Sequence, residues 1–106
     1  MTERLSFSEK EVLSVIYDSE KELALHDIMN AVNKKFDHDW KTQTVSTFLT
    51  RIVKKEYLSR HKEGRYTYYA PLQKKEEVLL SEIEDMVRIY YNGNKKEFSD
   101  FIKQMN

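Results

Sequence analysis

From Thr42 to Lys54 the chain sets short hydroxyls, an amide and cations along one side of a helix: Thr42, Gln43, Ser46, Thr47, Thr50, Arg51 and Lys54. The apolar residues between them, Val45, Phe48, Leu49, Ile52 and Val53, recur at the i, i+3, i+4, i+7 spacing of a single buried stripe. An ordinary solvated helix face mixes Glu with Lys, whereas this one has no acid until Glu56. That chemistry suits a DNA major groove. Hydroxyls and amides bond base edges and phosphates, arginine reaches guanine, and an acid is repelled by the backbone. Thr44 and Thr47 are the expected base readers, each able to bond a base edge or to set its methyl against a thymine methyl. Gln43 can pair with adenine, and Ser46 lies on the same exposed side. Lys41, Thr42, Thr50 and Arg51 are expected to fix register through phosphates. A merely solvated polar face is the competing account, and the missing acids count against it.

The next segment continues the same theme. Residues 58–62 and 65–70 carry alternating β-prone side chains around a Lys62-Glu63-Gly64 turn, where Gly64 can supply positive φ, and Pro71 ends the second strand. Lys62 and Arg65 flank the turn and are expected to reach the DNA backbone or the minor groove. Tyr66, Tyr68 and Tyr69 read as sheet packing in preference to base stacking, and Trp40 as a core anchor ahead of the helix. A basic helix followed by a basic hairpin is the outline of a winged helix. Formal net charge over the 106 residues is zero, but it is unevenly spread. Residues 1–40 carry five Lys/Arg against nine Asp/Glu, residues 41–71 seven against two, and residues 72–106 six against seven. The basic excess sits in the helix and hairpin, where a polyanionic partner would need it.

Other chemistries find little support. Cysteine is absent, which removes disulfides, thiolate metal sites and a cysteine nucleophile. The three histidines, His26, His38 and His61, are not spaced i+3 or i+4 from one another, and Asp37-His38-Asp39 has ligand types without convergent spacing. No metal or other cofactor is expected. With no Ser/His/Asp order, glycine-rich phosphate loop or paired-carboxylate cleft, the chain is not read as an enzyme. No apolar run approaches the ~18 residues of a membrane span. Glu3 and Arg4 stand where a signal peptide would become apolar, so a soluble, cytoplasmic protein with no membrane partner is expected.

The remaining elements must position that basic segment. Ser8-Glu9-Lys10-Glu11 matches a capping box, opening a helix that buries Val12, Leu13, Ile16 and Tyr17, with Phe7 stapling its start. A polar connection at 18–22 precedes a second helix over 25–36, with Leu25, Ile28, Met29, Val32 and Phe36 on one face. Asp39 is the expected N-cap of the third helix, over 41–57. Three short helices and a hairpin make a winged helix-turn-helix domain over 1–72. Beyond Pro71 a helix over 73–91 carries Leu79, Leu80, Ile83, Met86, Val87, Tyr90 and Tyr91. Asn92-Gly93-Asn94 breaks it, and a last helix over 95–105 carries Phe98, Phe101, Ile102 and Met105. This 73–106 hairpin could pack back on the same domain. Pairing with a second chain is preferred, since DNA readers commonly pair to match two half-sites. The fold class is therefore mainly α with a small β-hairpin, ending in dimerisation helices.

Trp40 followed by residues 44–72, TVSTFLTRIVKKEYLSRHKEGRYTYYAPL, resembles the signature of the penicillinase-repressor (BlaI/MecI/CopY) family of winged-helix transcriptional repressors. Thr44, Val45, Thr47, Leu49, Arg51, Lys55 and Leu58 match its pattern, while Glu56 stands where the family usually has glycine. The resemblance extends, more weakly, over most of the chain. It implies a homodimer that represses transcription from a palindromic operator of TACA/TGTA type, with Thr44 and Thr47 as base-contacting hydroxyls. Gln43 and Ser46 replace residues that are often Lys and Arg in relatives, which implies altered affinity or flanking preference.

The departures bear on induction. Copper-responsive relatives use paired Cys-x-Cys motifs, which a chain without cysteine does not have. β-Lactam-responsive relatives are cut by a protease at an Asn-Phe bond, whose counterpart here is Asp100-Phe101. A regulatory protease is therefore a further implied partner. Many relatives continue for another helix beyond the position of Asn106, so a smaller, weaker dimer is expected. The alternative function is a winged helix used as a protein-interaction module, its basic face docking an acidic partner without operator specificity.

Overall fold

The computed structural model describes residues 3–105. Its elements run α1 (Phe7–Tyr17), β1 (Leu23–Ala24), α2 (Leu25–Phe36), α3 (Thr42–Lys54), β2 (Leu58–Glu63), β3 (Tyr66–Pro71), α4 (Lys75–Tyr90) and α5 (Lys95–Lys103). They divide into two compact units, Met1–Gln73 and Lys74–Asn106.

In the first unit, three helices surround one core. Val12, Leu13, Val15 and Ile16 from α1 meet Ile28 and Val32 from α2 and Val45, Leu49 and Ile52 from α3, all buried. Each such side chain contributes ~1.5–3 kcal/mol by leaving water. Tyr17 is only half-buried, and its hydroxyl donates to the Gln73 carbonyl at 2.8 Å.

The start of α1 differs from expectation. Ser6, not Ser8, is the N-cap: its hydroxyl accepts from the Glu9 N–H (3.2 Å), and the Glu9 carboxylate accepts from the Ser6 N–H (2.8 Å). Both S-x-x-E registers satisfy the local pattern. The earlier one wins because Glu9 also accepts from Lys55 Nζ at 2.7 Å, a partner 46 residues away. The shift puts Phe7 at the first helical position, 79 % exposed and no staple, while Leu5 is buried.

A two-residue strand, β1, completes a sheet of order β1-β3-β2, with Leu23 opposite Tyr69 and Ala24 opposite Tyr68. Two residues are too short to show alternation, so nothing in the sequence marked it. The β2–β3 hairpin pairs Leu58 with Pro71 through Glu63 with Tyr66, leaving Gly64-Arg65 as the turn in place of Lys62-Glu63-Gly64. Positive φ falls on Gly64 (+65°) and not on Arg65, the pattern of a type II′ turn, whose twist matches the flanking strands.

Two features set α3. Asp39 does not cap it. Lys41 holds the N-cap position without a side-chain bond, and the Asp39 side chain is 97 % exposed. Behind it, the Asn33 amide clamps Trp40, donating to its carbonyl (2.9 Å) and accepting from its N–H (3.0 Å). The half-buried Trp40 ring stacks on His38 at 4.0 Å and tilts against Phe48 at 5.1 Å, anchoring the turn to α3. At its other end α3 stops at Lys54, short of residue 57. The Glu56 N–H bonds the Val53 carbonyl (2.9 Å) and the Tyr57 N–H bonds the Ile52 carbonyl (3.2 Å), a Schellman closure. Glu56 takes φ +71°, a left-handed conformation that costs a side-chain-bearing residue energy and suits glycine.

In the second unit, Gly93 (φ +84°) ends α4 by bonding the Val87 carbonyl at 3.0 Å, and Asn94 caps α5 by accepting from the Glu97 N–H at 3.0 Å. Tyr91 packs on Phe98 (5.7 Å, edge-on) and on Phe101 (6.3 Å). Among the described residues, no helix is long and apolar enough to cross a membrane.

Candidate nucleic-acid interface

Burying Val45, Leu49 and Ile52 turns the opposite side of α3 to water. Gln43, Thr47, Thr50 and Lys54 follow one another at helical spacing along that side, all exposed. Lys54, placed on this side by the sequence but not among the expected contacts, ends the row. Arg51 is exposed beside it, whereas Thr44 and Ser46 are half-buried at the edges. The Thr47 hydroxyl donates to the Gln43 carbonyl at 3.0 Å. Its proton is committed within the helix, so Thr47 presents acceptor lone pairs and a methyl.

The start of α3 is open chemistry. Val45 is the first residue whose N–H bonds back, to the Lys41 carbonyl at 3.1 Å. The N–H groups before it have no side-chain cap, and the first turn holds no acid. Unsatisfied N–H groups and the positive end of the helix dipole favour an anion there. Lys41 and Thr42 are exposed at this end, and Lys41 lies 3.8 Å from Asp39 in a pair open to water. Such a pair contributes little.

Thr42 and Ser46 also border a groove of about 710 Å³ that runs along β3 from Arg65 to Tyr69 and past Ala24, Leu25, His26 and Asp27. The tertiary fold thus brings α3, the wing residue Arg65 and the start of α2 around one concavity. Lys62 stands opposite Thr67, which lines the same groove. Tyr69 is buried, Tyr68 is half-buried on His61 at 5.9 Å, and Tyr66 is exposed at the tip.

One cation of the basic segment is spent elsewhere. Lys55 turns inward, donating to Glu9 (2.7 Å) and to the Arg4 carbonyl (3.2 Å), with Glu3 at 3.7 Å. Burial pushes the Glu9 carboxyl up, but the Lys55 ammonium and the Ser6 donors outweigh it and hold it below its ordinary value. The Glu9 carboxylate in turn raises Lys55 against its own desolvation. This pair staples α1 to the end of α3; it offers DNA nothing.

The histidines do not converge. His38 bonds Glu11 at 2.8 Å, His61 lies 3.2 Å from Glu22, and His26 borders the groove. Among the described residues, no three His, Asp or Glu side chains are grouped to hold a metal ion.

The residues expected to pair two chains fall into two groups. Leu79, Leu80, Ile83, Met86 and Tyr90 on α4, and Phe101 and Ile102 on α5, are exposed. Val87 is buried, while Tyr91 and Phe98 are half-buried against each other. Asp100 and Phe101 lie inside α5, where Asp100 pairs with Lys96 at 3.1 Å.

Comparison with known proteins bears on the family and the fold. The sequence profile of the family described as Penicillinase repressor matches residues 5–106. The chain is 28 % identical over 90 residues to the penicillinase repressor of Bacillus licheniformis, covering 85 % of this chain and 68 % of that one. Its fold resembles the solution structure of the DNA-binding domain of the repressor BlaI, with TM-score 0.60 and 29 % identity over 73 % of this chain and 93 % of that one. It also resembles the monomeric form of Bacillus licheniformis BlaI in complex with the blaP half-operator, with TM-score 0.58 and 28 % identity over 73 % of this chain and 90 % of that one.

Proposed function

The chain belongs to the penicillinase repressor family, and from that premise we propose that it is a repressor that binds a palindromic operator of TACA/TGTA type as a homodimer. The family is one of DNA-binding repressors, not enzymes. One observation carries the reading: Thr42 and Ser46, at the uncapped, acid-free start of α3, border one groove with the wing cation Arg65, and Lys62 stands opposite Thr67 on its wall. A relative of the same fold is bound to a half-operator, which supports DNA as the ligand. In this reading Thr44, Thr47 and Gln43 meet base edges. Lys41, Thr42, Ser46, Thr50, Arg51, Lys62 and Arg65 hold the backbone and groove walls.

The 1–72 segment is the DNA-binding domain and the 73–106 segment pairs two chains. Support for pairing is the exposed series Leu79, Ile83, Met86 and Tyr90, spaced four, three and four residues apart on α4. That is the spacing of a helix–helix seam. Repression follows by occlusion of the promoter. Release by proteolysis at Asp100-Phe101 would require α5 to open first, because a protease needs an extended chain.

Fluorescence-anisotropy titration of a labelled TACA/TGTA palindrome and a scrambled duplex, each at two salt concentrations, tests the reading. Tighter binding to the palindrome with two chains per duplex is expected. Equal, weak binding to both would instead favour a winged helix without operator specificity.

A further inference from the structure

We propose that Arg60 is a DNA-phosphate contact, and that the wing meets the duplex by the face Arg60 shares with Lys62. The proposal rests on the DNA-binding reading above and adds to it a residue and an orientation. The strand ladder defines the face. Arg60 stands opposite Tyr69 and Lys62 opposite Thr67, and directly opposed residues of an antiparallel pair project to the same side of a sheet. Leu58, Arg60 and Lys62 therefore share a side with Thr67 and Tyr69. Leu58 and Tyr69 are buried, so this is the side turned toward the helices. The groove that holds Thr42 and Ser46 is bordered from both sides of β3, by Thr67 and Tyr69 and by Tyr66 and Tyr68, so the burial of Leu58 and Tyr69 is what sets the orientation. Where the core ends, that side is left with the Arg60 guanidinium and the Lys62 ammonium. Both are exposed, and neither has an ion-pair or hydrogen-bond partner among the described residues.

The opposite side of the wing has the reverse chemistry. His61 Nε2 lies 3.2 Å from the Glu22 carboxylate and 3.7 Å from that of Glu63, and its ring stacks on Tyr68. Carboxylates there would be repelled by a polyanion, while unpaired cations on the first side release counterions from it. An arginine with five donors and no internal acceptor is suited to a phosphate. The plainer account makes Arg60 an edge-strand charge that discourages strand pairing, and it predicts no effect on DNA.

Anisotropy titrations of the full chain on the palindrome and the scrambled duplex, across a salt series, separate these accounts. Arg60→Gln is expected to weaken both duplexes alike, by about 5-fold, and to lower the slope of log K against log salt by about one per bound chain. Its melting temperature should stay that of the wild type, and Arg60→Lys should restore most of the affinity. Glu63→Gln is expected to keep the wild-type slope. Wild-type affinity and slope for Arg60→Gln, with Lys62→Ala lowering both, would overturn the proposal and leave the wing touching DNA by its tip alone. A loss for Glu63→Gln as large as that for Arg60→Gln would overturn the orientation. No measurable affinity of the wild type for either duplex would remove the proposal together with the reading beneath it.

Discussion

Helices α3 and α4 are both amphipathic, yet they leave opposite chemistries in water. On α3 the centre of the apolar stripe is closed off: Val45, Leu49 and Ile52 are each 0 % exposed, Phe48 and Val53 are half-buried, and what is fully exposed is hydroxyl, amide and cation. On α4 only Val78 and Val87 are buried, and Leu79, Leu80, Ile83, Met86, Ile89 and Tyr90 stay exposed. A helix whose apolar face is satisfied can devote its polar face to a polar partner. One whose apolar face is open is short of an apolar partner, since exposed leucine and isoleucine in such a row carry a free-energy cost that a second surface would remove. Under the function proposed above, the two units take two kinds of ligand, a nucleic acid for the first and another copy of the chain for the second.

Substitutions sharpen that contrast. Leu49→Ala, in the closed stripe, should cost ~2–5 kcal/mol of unfolding free energy through the cavity it leaves. Ile83→Asp, in the open one, should leave the stability of the first unit within ~0.5 kcal/mol while sedimentation shows the dimer lost. Comparable destabilisation by both would mean that Ile83 already has its partner within the chain.

The next largest effect tests whether the first unit is held by its own ion pair. Glu9→Gln leaves the Lys55 ammonium facing a neutral amide in a mostly covered site, at a cost of about 2–3 kcal/mol by denaturant titration. The pH dependence has a definite sign. The Glu9 carboxyl lies below its ordinary value of 4.5 in the folded state, so its contribution is present above that pH and is lost as pH falls through the folded value. Acid should therefore lower the wild-type melting temperature more than that of Glu9→Gln. Parallel acid profiles would show that the pair contributes nothing.

On the open polar face, Thr47→Ala should cost ~1–3 kcal/mol on the operator and almost nothing on random duplex. Equal losses on both would move Thr47 from base reading to backbone contact. The smallest effect expected is Glu56→Gly, which removes a side chain from φ +71° and should stabilise the first unit by about 0.5–1 kcal/mol without changing DNA affinity.

Much of the fold follows from local chemistry that the sequence displays. The apolar spacing of α2 and α3, Gly64 at the wing and Gly93 after α4 are each decided within a few residues. Helix periodicity and positive φ are properties of short segments. The acid-free polar side of α3 was legible for the same reason, because burying one stripe dictates which residues remain outside. What the sequence could not decide were choices among equal local options and contacts between distant residues. Ser6 and Ser8 each open a sound capping box, and only the Lys55 ammonium, arriving from the end of α3, selects Ser6 by bonding Glu9. Lys55 counted as part of the basic patch until packing turned it inward. Asp39 looked like a cap but was left outside, because the Asn33 clamp on Trp40 sets where the chain enters α3. β1 exists only because β3 is there to pair with it, and the side of the wing that Arg60 occupies became visible only once the register was known. Local propensity ranks the candidates for each position; long-range partners, whose energies no short segment contains, choose among them.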